Sequence, residues 1–373
     1  MLKNLDKIKI KEINEPFFIF KPEILTKDVK YFLNHFSGET IYAVKTNPCE
    51  FILKQIYKLG VKSFDVASIN EVKLVRNLFK KSKIYFMNPV KPVSSIKKAY
   101  FDFGVRDFSL DSNQELQKIL HSTNQADDLN LHLRFSVPNH FSKIKLSKKF
   151  GVDGLAAERL LIKTKEVANK IGVSFHIGSQ CMNPDAYKIS INKVVSIIKK
   201  TKISLDYFNI GGGFPSEYYG LRPPKLESYF NVINKELSKH GLLSKVKLLS
   251  EPGRILVSNS MSLIVRVDLR KKKNLFINDG IHGHLYTAKE FNLLCPVKIF
   301  NKNVKSKLVA FNFYGPTCDS NDFIKGPFFL PDSIKEGDYI ELKNMGAYTV
   351  TMNKNFNGFY SKLKVFKDPS REN

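Results

Sequence analysis

Residues 40–68, TIYAVKTNPCEFILKQIYKLGVKSFDVAS, hold a β-rich run, an apolar segment at three- and four-residue spacing closed by Gly60, and a second β-rich run. A strand, a helix and a strand in so short a span read as one parallel crossover unit. Reading outward from it, the same alternation recurs. β-rich runs stand at TIYAVKTNP (40–48), VKSFDVAS (61–68), KIYFMNP (83–89), VRDFSLD (105–111), LNLHLRF (129–135), GVSFHIGS (172–179), LDYFNIGGG (205–213) and VKLLSEPGR (246–254). Helix-period segments such as AERLLIKTKEVANKIG lie between them and close on Gly. Eight strand–helix units are the count of a (β/α)8 barrel. The polar ends of these runs include Lys45, Asp65, Asn88, Asp111, Arg134, His176, Gly211 to Gly213 and Arg254. In such barrels these ends converge on one pocket, although loops are polar for many reasons.

After about residue 262 the helical spacers stop. SLIVRVDL, NLFIND, CPVKIF, KLVAFNFYGPT, DYIELKNMGAYTV and FYSKLKVF follow one another as alternating runs, which predicts an antiparallel β-domain. The expected organisation is an N-terminal segment over 1–25 packing with the β-domain, a barrel over 26–262, and the β-domain over 263–373, with KDPSREN a polar tail.

Composition narrows the function. Four scattered cysteines, Cys49, Cys181, Cys295 and Cys318, lack the close pairing of metal or disulfide frameworks, so no metal is expected. The chain has no apolar stretch of spanning length, so a soluble, cytoplasmic protein without membrane partners is expected. Sixty Lys and Arg against 35 Asp and Glu give a net charge of +25. That balance suits nucleic acid, but the lysines are spread along the chain and no nucleic-acid motif accompanies them. The same field would also favour a small anionic ligand.

Lys45 is the one cation in the apolar run IYAVKTNP. If buried, its amine would lose solvation and favour the neutral form that condenses with an aldehyde; a lysine at a strand exit also simply reaches water. The glycines of NIGGGFP let backbone N–H groups approach an anion, and are equally common in turns. Ser179 and Arg254 suit a phosphate. Glu251, beside such a site, makes sense facing a cation, for which a pyridinium nitrogen qualifies.

The ordered motifs AVKTNP, FDVAS..E, HIGSQ, GGGFP, EPGR, GPTCDSND and MGAYTV...FNGF, spread over residues 16–366, resemble the ornithine/diaminopimelate decarboxylase family of pyridoxal-phosphate enzymes, whose barrel is alanine-racemase-like. The resemblance implies that Lys45 holds pyridoxal 5'-phosphate, with Asp65, Glu71 and Arg134 around it and His176 stacked on its ring. It further implies Glu251 at the pyridine nitrogen and phosphate ligands from Ser179, the run Gly211, Gly212 and Gly213, then Gly253, Arg254 and Tyr348. It implies a homodimer in which each C-terminal domain completes the other chain's site, with Cys318 as the acid that protonates the substrate carbon. The stretch KLSKKFGVD resembles a loop over the site, with Lys149 facing Asp322 of the other chain.

Substrate choice follows from Asp319. A carboxylate beside Cys318 can hold a cationic side-chain amine, so the resemblance points to L-ornithine, giving putrescine for polyamine synthesis, with lysine or another diamino acid, diaminopimelate included, as the alternative. The resemblance also implies Phe356 as a substrate contact. A second acid is expected after NDG, where counting gives Phe291 and Glu290 precedes it by one. His282 and His284 in that stretch either shape the pocket or sit in an exposed loop. A racemase and a non-catalytic regulator share the fold; PTCDSND and FNGF point away from the first, and retained Lys45, Glu251 and Cys318 from the second.

Overall fold

The structure is a computed structural model that describes residues 2–7, 9, 13–146, 149–302, 304–354, 356–359 and 362–368. The chain divides into two compact units. One comprises residues 29–215 and 223–253; the other comprises residues 1–28, 216–222 and 254–373.

The first unit is a closed barrel of eight parallel strands, Glu39–Ala43, Ser63–Val66, Lys83–Phe86, Asp107–Leu110, Asn130–Arg134, Lys170–Ser174, Tyr207–Asn209 and Lys247–Ser250. Each pairs with the next in the chain, and the eighth returns to the first through Ser250 and Thr40. All eight fall on the runs read from the sequence, the first starting one residue and the sixth two residues earlier than the run. Outward residues such as Phe64, Phe86, Phe108, Leu131 and Val173 are buried, while Ile41, Tyr85, Met87, Tyr207 and Leu249 form one interior cluster. Helices Ile69–Leu78 and Asn113–Ser122 begin on serines. Ser68 accepts the Glu71 N–H and Ser112 the Glu115 N–H, so S-x-x-E fixes each helix start just past a strand end.

In the second unit, Met261–Lys271 pairs antiparallel with Phe17–Phe20, Asn274–Ile277 and Tyr339–Leu342. The unit is not wholly antiparallel. Asn274–Ile277 runs parallel to Leu308–Tyr314, and Phe17–Phe20 runs parallel to Val365–Lys367. Strand Phe323–Pro331, absent from the sequence reading, pairs with Leu308–Tyr314. Gly326 and Pro327 interrupt its alternation, and its register with the partner shifts in the same region.

Candidate active site

At the strand ends of the barrel unit, Lys45 lies in a single helical turn, Val44–Thr46, directly after the first strand. Its Nζ is 2.7 Å from Asp65 Oδ2 at the end of the second strand. Of the two alternatives open for this lysine, burial or reaching water, the structure has the second: its side chain is 41% exposed, and the buried partner is Asp65 at 2%. Gly253 explains how the chain passes this turn. A Cβ there would lie 2.0 Å from Thr46 Oγ1, and neighbouring Pro252 accepts the Ala43 N–H.

Glu251 follows the eighth strand and is buried. Burial first, and then the Asp65 charge, push its carboxyl up to about 7, against the pull of Lys45 and Arg134. Asn209 Nδ2 donates to Glu251 Oε1 at 2.7 Å, and Asn209 Oδ1 accepts the Gly211 N–H at 2.8 Å. Asn209 thus ties the glycine run to the acid, a role the sequence reading missed although the residue stands two positions before GGG. His176 Nδ1 accepts the Gly178 N–H at 3.0 Å, leaving the ring proton on Nε2. Burial and the Arg134 and Lys45 cations hold this imidazole well below its ordinary range, so it is neutral. Glu71 accepts the Ala67 N–H at 2.6 Å and is shifted upward by burial and, more weakly, by Asp65.

The glycines serve the protein's own backbone. A Cβ on Gly211 would meet Phe175 O at 2.1 Å, one on Gly212 would meet Glu251 O at 2.4 Å, and one on Gly213 would meet Gly178 O at 2.5 Å. Gly211 and Gly213 also have positive φ, at 67° and 111°. The run therefore packs against HIGS and EPG, which brings Ser179, the first residue of strand Ser179–Cys181, beside it in the fold.

The second unit holds the remaining candidates. Arg254 is buried; its Nη1 donates to Tyr218 OH at 2.6 Å, and its Cζ lies 5.0 Å from the centre of the Tyr348 ring. Tyr218 was not anticipated. Cys318 is exposed, with Sγ 3.2 Å from Asn357 Oδ1. Asp319 meets His282 Nε2 at 2.8 Å, and His282 stacks on Phe356 with ring centres 4.4 Å apart. His284 is buried against Asp279 at 2.7 Å. Neither histidine is the exposed loop residue that was the plainer expectation.

Glu290 ends the short helix Tyr286–Glu290 and is exposed, and among the described residues it makes no hydrogen bond or ion pair to Asp319. Asp322 is buried and accepts from the Ile281 N–H, the Thr317 N–H and the Thr317 hydroxyl. A Cβ on Gly280 or Gly315 would lie 2.1 or 2.2 Å from its carboxylate. Within its own chain Asp322 organises these turns, whatever Lys149 faces; Ser147 and Lys148 of that loop lie outside the described residues. Among the described residues no group of three His, Cys, Asp or Glu is placed to hold a metal, and no helix is long and apolar enough to cross a membrane.

A barrel whose strand ends carry an accessible lysine against an acid, a buried protonatable carboxyl and a neutral imidazole has the donor set of a pyridoxal-phosphate protein. The lysine answers the aldehyde, and the buried carboxyl answers a ring nitrogen. Residues 24–258 match the family of pyridoxal-dependent decarboxylases, in its pyridoxal binding domain. The chain is 31% identical to antizyme inhibitor 2 of Xenopus laevis over 95% of this chain and 81% of that one. It is 32% identical to ornithine decarboxylase of Mus musculus, covering 85% of this chain and 73% of that one. Among solved structures, the arginine decarboxylase of Paramecium bursaria Chlorella virus superposes with a TM-score of 0.86 at 25% identity, over 95% of this chain and 96% of that one. The chain belongs to the pyridoxal-dependent decarboxylases acting on basic amino acids, and its cofactor is pyridoxal phosphate.

Proposed function

We propose that the protein decarboxylates L-ornithine to putrescine, with lysine as the nearest alternative substrate, in a homodimer whose sites are shared. The observation that carries the substrate is the Cys318–Asp319 pair: a thiol beside a carboxylate whose pKa is held below its ordinary range by the Asn321 N–H and His282. An ionised acid suits a substrate whose far end is a cation.

Bound pyridoxal phosphate supplies an electron-withdrawing ring that takes up the electron pair released when the Cα–carboxylate bond breaks. Lys45 would hold the cofactor through its amine, which Asp65 keeps in place at 2.7 Å. Glu251, with its raised pKa, would hold a proton for the ring nitrogen. His176, neutral, offers a flat face without adding charge. Arg254 and Tyr348, with Ser179 and the glycine run, are assigned to the phosphate. Cys318 delivers its thiol proton to Cα, so carbon dioxide leaves and a proton takes its place.

Carbon dioxide and diamine release measured across ornithine, lysine, arginine and diaminopimelate tests the substrate; diaminopimelate in the lead would sink the Asp319 argument. Sharing is tested by mixing two inactive variants, Lys45→Arg and Cys318→Ala. Random exchange of subunits restores roughly a quarter of wild-type activity if each site draws on both chains, and none if each chain is self-sufficient. The likeness to antizyme inhibitor 2 supports a second reading, a regulator without turnover, which the same carbon dioxide assay excludes or upholds.

A further inference from the structure

Asp319 has both carboxylate oxygens engaged. Oδ1 accepts the Asn321 backbone N–H at 2.9 Å and Oδ2 faces His282 Nε2 at 2.8 Å. Because Asp319 is the ionised partner, Nε2–H donates and Oδ2 accepts. The imidazole is itself held: it stacks on Phe356 at 28°, and the His282 carbonyl accepts the Lys354 N–H at 2.8 Å. A hollow of about 260 Å³ adjoins His282, and its other charged groups are engaged elsewhere. Asp279 pairs with His284, Arg266 with Asp268, Glu15 with Lys364, and Asp322 with the 281 and 317 amides. Asp319 is thus the acid that His282 Nε2 serves.

A guanidinium grips a carboxylate through a planar fork that needs both oxygens side by side, whereas an ammonium is a compact charge that takes whichever lone pair is open. We propose that His282 is a specificity-positioning residue: by occupying Oδ2 of Asp319 with its Nε2–H, it leaves the carboxylate a lone pair for a side-chain ammonium while denying a guanidinium its two-oxygen fork. The chain is thereby set toward diamino acids and against arginine. This rests on the reading of Asp319 as the group that holds the substrate's far end.

The test is binding of putrescine, cadaverine and agmatine to the pyridoxal-phosphate-loaded protein by calorimetry, in wild type, His282→Phe, His282→Asn and His282→Gln. Phe keeps the ring on Phe356 and removes the donor. Asn is too short to reach Oδ2, so the question stays decidable if Phe does not fold. Gln returns a neutral N–H donor. Wild type is expected to bind a diamine more tightly than agmatine. Phe or Asn should narrow that ratio about tenfold, the worth of one hydrogen bond to a charged group, and Gln should restore most of it. In turnover, the ratio of KM for arginine to KM for ornithine should fall by a similar factor.

An unchanged ratio in a folded variant that still binds diamines overturns the role of His282 alone. Tighter agmatine than diamine binding in wild type overturns the selectivity. Binding of none of the three overturns the substrate reading, and the inference with it.

Discussion

Two lysines of the barrel unit stand just past strand ends, each against a carboxylate: Lys45 at 2.7 Å from Asp65, and Lys91 at 2.9 Å from Glu115. Their surroundings are opposite. The Lys91 side chain is fully buried, with Nζ donating to the carbonyls of Asn88 at 2.8 Å and Ser109 at 2.5 Å, and burial lowers its pKa to about 8. Lys45 keeps 41% of its side chain open. By the argument that burial activates an amine, Lys91 is the better nucleophile. It is also the one no aldehyde can reach, with its protons committed to fixed acceptors. Reactivity here depends on an amine that is held by one acid and still accessible, and a depressed pKa alone marks a structural lysine.

The largest expected effect separates the two. Lys45→Arg keeps a cation for Asp65 but presents no amine that condenses, so it should abolish the visible absorption band of bound pyridoxal phosphate and cut decarboxylation at least about a thousandfold, with thermal unfolding little changed. If the band survived, the assignment of Lys45 would fall. Next in size, Lys91→Met leaves the buried Glu115 carboxylate with Lys118, at 2.5 Å, and the residue-91 backbone N–H, at 3.1 Å, to answer it. It should cost about 3 kcal/mol of stability by urea unfolding, and adding Glu115→Gln should recover part of the loss. Activity per folded molecule should persist, because among the described residues Lys91 makes no hydrogen bond or ion pair to a residue assigned to the cofactor or the substrate.

This contrast also marks what the sequence made legible. Strand positions were readable because apolar alternation is local, and the residues at strand ends followed from them once the barrel count was made. Lys91 lies in MNPVKP, a stretch as suggestive as AVKTNP, and nothing in its neighbours reveals that Ser109 and Glu115, 18 and 24 residues on, enclose it. Exposure depends on such distant contacts, which is why the sequence left open whether Lys45 is buried or reaches water. The backbone role of the glycine run was hidden in the same way: the Phe175, Gly178 and Glu251 carbonyls that exclude a Cβ come from segments next to other strands. His282 and Asp319 are 37 residues apart, and no pattern in either loop announces their contact.

A buried carboxyl extends the comparison. Among the described residues no lysine forms an ion pair with Glu251, and its environment keeps a proton on it near neutral pH. Glu251→Gln should retain cofactor, since the amide still fills the space beside Asn209, but lower kcat about a hundredfold because it no longer stabilises charge at the ring nitrogen. A kcat within twofold of wild type would mean that the carboxyl is structural, as Glu115 is.

The smallest effect is a pH slope specific to Lys91. Its folded value is about 8 against an ordinary 10.5, so below pH 8 both folded and unfolded chains hold the proton and this group adds no slope. Between pH 8 and 10.5 the unfolded chain binds a proton that the fold has released, and stability from this group rises with pH. The full shift corresponds to about 3 kcal/mol, of which compensation within the Glu115 pair should leave about 2. Urea midpoints taken across that window should therefore rise in wild type relative to Lys91→Met/Glu115→Gln, which lacks the titrating amine. Parallel profiles would show that Lys91 keeps its proton in the fold, and the two lysines would then differ in access alone.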